Sequence, residues 1–158
     1  MRVWRLDRDD RNPLEGLGGL FSAGRWHPRG VRVVYAASHL SLAMLEKLVH
    51  VDPDVLPDRL AAFEIEIPDG DASREVVPID RLPTDWRAEP PGAATQALGR
   101  SWLTDPTRPA ILVVPSVVVP REENYLLNPT HPDAGRWSVV SSEPFRFDRR
   151  LLHRRRAR

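Results

Sequence analysis

The chain has 158 residues, a formal net charge of +1 and no cysteine. That length suits one domain with a real apolar core, and the absence of cysteine excludes disulfides, thiolate metal sites and a cysteine nucleophile. Charge is uneven: residues 148–158 hold six arginines against Asp148, so a mildly acidic body (1–147) precedes a basic tail (148–158). No apolar run approaches a membrane span, and the charged amino terminus lacks a signal-peptide core, so a soluble cytoplasmic protein is expected. Arginine outnumbers lysine 22 to 1, which reads as GC-rich codon usage.

Val3-Trp4-Arg5-Leu6 predicts a short first strand, and residues 8–24, rich in Gly, Asp and Asn, predict a loop. Val31 to Ala37 is β-branched and aromatic and predicts a buried strand. Ser38 suits the N-cap of a helix over about His39 to Val51, stopped by Asp52-Pro53. Leu42, Leu45, Leu48 and Val49 would share one face of that helix, with Glu46 at the edge of the stripe and on the flank of His39 and His50.

Leu60 to Pro68 alternates apolar and acidic residues, predicting a strand with one wet face, and Glu75 to Ile79 predicts another. Pro90-Pro91-Gly92 precedes a helix over about Ala93 to Leu103. Ala110 to Val114 is an apolar strand ended by Pro115-Ser116, and Val139-Val140 and Phe145-Arg146-Phe147 predict closing strands. Strands outnumber helices without alternating regularly with them. The expected class is therefore α+β, with a mixed or antiparallel sheet.

The chemistry concentrates between Gly24 and His50. Arg25 supplies a planar fork suited to phosphate oxygens. Tyr35 supplies a flat amphipathic ring, and Glu46 a carboxylate able to meet developing positive charge. A ligand with phosphates, an aromatic ring and a bond that breaks through a cation would use that set. Each residue also has an ordinary reading: Arg25 stacked on Trp26, Tyr35 in the core, Glu46 solvated, Ser116 ending its strand, and Asn124 and Asn128 bonding loop backbone. Histidines 27, 39, 50, 131 and 153 show no zinc spacing, and neither a phosphate loop nor a Gly-x-Ser-x-Gly elbow is present.

Gly24-Arg25-Trp26, Val34-Tyr35, Leu42-Ala43-Met44-Leu45-Glu46 with His50, Val114-Pro115-Ser116, Asn124 to Pro129 and Phe147 to Leu151 follow one another over nearly the whole chain. In that order they resemble the RES-domain family, the toxin half of bacterial RES–Xre toxin–antitoxin pairs. The resemblance implies an ADP-ribosyltransferase-like fold for a catalytic domain over 1–147. It also implies destruction of NAD by cleavage of nicotinamide from ribose, with NAD as substrate and no resident cofactor or metal. Water or inorganic phosphate would be the acceptor.

By the match, Arg25, Tyr35 and Glu46 take the catalytic positions and Ser116 the family's serine. Glu46 would stabilise the ribosyl cation and Arg25 would grip the pyrophosphate. Tyr35 would stack on nicotinamide or orient its ribose, and Ser116 would offer its hydroxyl to the amide or a phosphate. Trp26 and Asn128 join Arg25, Tyr35 and Ser116 as expected substrate contacts. The implied partners are a cognate Xre-type antitoxin and a homodimer inside a toxin–antitoxin hetero-oligomer. The tail reads as a solvated terminus, with no membrane contact and no direct nucleic-acid binding expected. His27 stands where the family commonly has Asn, and Ala23 where it has Gly. Two alternatives stay open: transfer of ADP-ribose to a macromolecule, and a non-enzymatic binding module using the arginine tail. The latter predicts that Arg25, Tyr35 and Glu46 lie far apart.

Overall fold

A computed structural model describes residues 1–51, 58–68 and 74–152. The last four arginines of the basic tail, and the Asp52-Pro53 helix stop, lie outside the described residues. The strands are β1 (Arg2–Arg8), β2 (Val34–Ala37), β3 (Leu60–Glu66), β4 (Arg74–Val76), β5 (Ile111–Pro115), β6 (Glu123–Leu127) and β7 (Ser138–Phe145). The helices are α1 (Gly18–Phe21), α2 (Leu40–Leu48) and α3 (Ala93–Thr104). One seven-stranded sheet runs in the order β4-β5-β6-β2-β1-β3-β7. Among the described residues only the β4–β5 pair is parallel, so the sheet is mixed and the class is α+β.

The two sheet faces carry separate cores. On one, Val3, Val34, Ile65, Ile111, Val113 and Leu127 pack with Trp137. On the other, Leu112, Val114 and Leu126 pack with Trp26, Trp86 and Trp102, while Leu6, Ala37 and Ala62 pack under Leu42 and Ala43 of α2. This division follows from strand alternation: Leu112 lies opposite Leu126, and Val113 opposite Tyr125, so successive residues feed opposite faces. β5 is apolar throughout because both its faces are covered.

Several boundaries differ from expectation. The 8–24 segment contains α1, a single helical turn that no periodicity in so short a stretch reveals. His39, not Ser38, occupies the N-cap of α2; its side chain caps nothing, and the Ser38 hydroxyl instead meets His39 Nδ1 at 3.0 Å. Only Leu42 and Ala43 of α2 are fully buried, and Val49, expected on the apolar face, is 59% exposed because the helix ends at Leu48. The strand expected over Glu75 to Ile79 stops at Val76, with Ile79 opening a 3-10 turn. The two closing strands are one, β7; it tolerates Pro144 because it is the sheet edge and needs no second ladder.

α3 approaches the sheet side through Gly99. A Cβ there would lie 1.7 Å from the Trp26 carbonyl oxygen, so only glycine lets the helix lie against the 24–27 turn. Gln96 Nε2 donates to the Gly24 carbonyl at 3.1 Å, tying the same turn from the same helix.

Candidate active site

Between α2, β1, β2 and the 24–27 turn lies a cavity of about 850 Å³, within the range of small-molecule sites. Arg25, Trp26, Tyr35 and Glu46 all line it, with His27, Lys47, Arg5 and Asn124. Their placement in one cavity is contrary to what a non-enzymatic module predicts.

Glu46 reaches the cavity from the second turn of α2. Its Oε1 accepts from the Ser116 hydroxyl at 2.7 Å and from Asn124 Nδ2 at 2.5 Å. Register explains the convergence. Asn124 of β6 sits opposite Ala37 of β2 and Val114 of β5, and Ser116 follows Val114 by two, on the same sheet face. That face is the one α2 covers. Oε2 has no protein donor among the described residues.

Ser116 is therefore not the contact expected. It is fully buried and does not line the cavity. Its hydroxyl donates to Glu46 and accepts from the Val119 backbone N–H at 2.8 Å, so it has no hydrogen left for nicotinamide or a phosphate. Its work is to orient the carboxylate. Asn128 is also displaced from the expected role: it is buried away from the cavity lining, with Nδ2 on the Leu103 carbonyl at 3.3 Å and Oδ1 accepting from the Thr130 backbone N–H and hydroxyl. It joins the end of β6 to α3.

Arg25 lines the cavity, but its fork is largely occupied. Nη1 donates to the carbonyls of Trp86 and Ala88 at 2.7 and 2.9 Å, and Nη2 meets the exposed carboxylate of Glu89 at 3.2 Å. The open bidentate phosphate grip expected from sequence is not seen. Arg25 instead binds the 86–89 segment to the cavity wall, where Glu89 and Pro91 contribute lining.

Tyr35 and His27 form a directed chain. Burial lowers the His27 pKa and favours the neutral ring. Its Nε2 lies 3.2 Å from the Ser22 carbonyl, which can only accept, so Nε2 carries the hydrogen and Nδ1 is an acceptor. The Tyr35 hydroxyl then donates to Nδ1 at 2.7 Å and accepts from the Trp26 backbone N–H at 3.4 Å. Burial raises the Tyr35 pKa well above its usual value, so the phenol stays protonated and offers the cavity chiefly its ring. Gly24 makes this possible, since a Cβ would stand 2.5 Å from His27 Cε1 and 3.0 Å from the Tyr35 oxygen.

The RES domain pattern matches residues 2–148. The chain belongs to the RES domain family. Among curated relatives, it is 40% identical over 156 residues to "Prs ADP-ribosylating toxin" of Sphingobium sp., covering 96% of each chain. It is 40% identical over 154 residues to "Toxin Res" of Pseudomonas putida, covering 96% of this chain and 100% of that one. Among solved structures, the M. tuberculosis MbcT–MbcA toxin–antitoxin complex contains a chain that superposes with a TM-score of 0.70 at 17% identity, covering 91% of this chain and 83% of that chain. This RES fold thus recurs where sequence has largely diverged.

Three lining residues went unnoticed in the sequence: Asn124 as a partner of Glu46, and the Arg5 and Lys47 cations. A signal existed for Lys47, the sole lysine of the chain and the residue after Glu46. Among the described residues no helix is long and apolar enough to cross a membrane, and none of their His, Asp or Glu side chains group as metal ligands.

Proposed function

We propose that this chain is the toxin of a bacterial toxin–antitoxin pair that cleaves the nicotinamide–ribose bond of NAD. The C1′–N bond breaks, its electron pair leaves with nicotinamide, and C1′ takes positive charge. An oxygen of inorganic phosphate or water then bonds C1′ and loses its proton to solvent. The observation that carries this reading is the Glu46 carboxylate, held through Oε1 by Ser116 and Asn124 while Oε2 has no protein donor among the described residues. A carboxylate so oriented can receive ribose hydroxyls and stabilise the cation without reorganising. The nicotinamide of NAD is a pyridinium that leaves as a neutral base, so the protonated Tyr35 phenol need not act as an acid.

A toxin of this kind acts on the cytoplasmic NAD pool and must be silenced at rest. An Xre-type antitoxin covering the cavity mouth, with the toxin as a homodimer inside the hetero-oligomer, fits that need; a chain of the same fold occurs in a toxin–antitoxin complex. The second reading, ADP-ribosylation of a macromolecule, is favoured by the name of the Sphingobium relative. It shares the first bond cleavage.

The test incubates purified protein with NAD, with and without phosphate, and resolves nicotinamide, ADP-ribose, ADP-ribose-1″-phosphate and modified protein. Free ADP-ribose or its phosphate supports the first reading, and label on protein the second. NAD left intact by folded protein overturns both. In cells, expression should arrest growth and Glu46→Ala should relieve the arrest.

A further inference from the structure

One cation in the cavity has no acceptor among the described residues. Lys47 is the sole lysine of a chain with 22 arginines, and it lines the cavity from the last turn of α2. Lys47 is half-buried, and none of the described residues accepts a hydrogen bond from its ammonium. Arg5, Arg11 and Asp7 are the charges that reach it through space.

Asp7 does not serve as its partner. The Asp7 Oδ2 already accepts from Nε of Arg5 at 3.1 Å and from Nη2 of Arg5, and Oδ1 accepts from the Arg8 backbone N–H at 2.9 Å. Arg5 is anchored in turn, its Nη1 donating to the Tyr35 carbonyl at 2.8 Å where β1 and β2 share a single residue pair. Among the described residues the corner therefore holds three cations, Lys47, Arg5 and Arg11, against one aspartate, with Arg5 immobilised and no acceptor on the Lys47 ammonium. Arg25 is occupied by backbone carbonyls and Glu89. A desolvated ammonium without an acceptor is unfavourable unless a ligand supplies one, and a compact ammonium meets phosphoryl oxygens as a point charge.

We propose that Lys47, with Arg5 beside it, is the phosphoryl-binding subsite of this cavity, the part first assigned to Arg25. The inference rests on the NAD-cleaving reading only for the source of the phosphoryl group: the dinucleotide's diphosphate, or the inorganic phosphate that accepts the ribosyl carbon.

The chain's single lysine gives a direct probe. Reductive ¹³C-methylation of the full chain labels Lys47 and the terminal amine alone and keeps the charge. Saturable shifts of the Lys47 signal with ADP-ribose in phosphate-free buffer, and none with adenosine, assign the diphosphate. Shifts with inorganic phosphate alone assign the acceptor. Lys47→Met should bind the responsive probe roughly tenfold to a hundredfold more weakly by calorimetry, with its melting temperature unchanged. A Lys47 signal indifferent to both probes overturns the subsite, whether or not the variant folds. So does a folded Lys47→Met chain that binds both probes as wild type does. NAD cleavage with unaltered KM and phosphate dependence in that variant defeats the subsite and leaves the proposed activity standing. Lys47-dependent binding without any NAD cleavage keeps the subsite and defeats the activity.

Discussion

The Ser116 hydroxyl at the end of β5 donates to Glu46 Oε1 of α2 across 2.7 Å, linking residues 70 apart in the chain. The Ser116 hydroxyl oxygen also accepts from the Val119 backbone N–H, so one buried group both shapes the turn after β5 and aims the carboxylate.

Ser116→Ala should therefore lower kcat for NAD cleavage by about tenfold or more, because the carboxylate loses its alignment, while KM changes little. Stability should drop by about 1–2 kcal/mol, since a buried backbone N–H loses its acceptor. A large rise in KM with kcat intact would show that Ser116 touches substrate. Steady-state kinetics and a melting curve on one preparation decide the matter.

Glu46→Gln keeps shape and an oxygen for Ser116 but removes the charge facing the ribosyl cation. Such stabilisation is commonly worth ~3–4 kcal/mol, so turnover should fall on the order of a hundredfold or more. NAD affinity should change far less, because the cation exists only near the transition state. A matching fall in melting temperature would make Glu46 structural.

Arg25→Lys should hurt activity nearly as much as Arg25→Ala. One ammonium cannot follow Nη1 and Nη2 to the Trp86 and Ala88 carbonyls and Glu89 together. Losing those charge-assisted bonds should cost roughly 1.5–3 kcal/mol, with the 86–89 backbone becoming faster in hydrogen exchange. Full activity in the lysine variant would remove Arg25 from the site's architecture.

The His27–Tyr35 chain predicts a pH dependence of folding. Burial holds the folded His27 pKa below the unfolded value of about 6.5, so the unfolded chain binds more protons in that window. The neutral ring's contribution is complete above about pH 6.5 and is lost as pH falls toward the folded value. The drop in melting temperature between pH 7.5 and 5.5 should shrink in His27→Asn, which cannot take the proton. An equal drop in both chains would show that other groups carry it.

Residue order alone determined a good deal. The apolar run at 110–114, the apolar–acidic alternation over 60–68 and the helix before Asp52 are local patterns, and they marked a strand-rich α+β domain. A carboxylate at 46, on the edge of an apolar helical stripe, was visible as a candidate for the same reason. What Glu46 meets was not visible, because register across β2, β6 and β5 brings Asn124 and Ser116 beneath α2. Serine was thus expected at the ligand and lies behind the carboxylate. Arg25 was expected to hold phosphate, yet nothing near it in sequence announces the carbonyls of residues 86 and 88, which only the packed chain delivers. Lys47 was one letter among arginines until β1 set an occupied Asp7 beside it. Composition and periodicity report what a residue is able to do; hydrogen-bond partners come from distant strands, and those partners decide which capacity is left free.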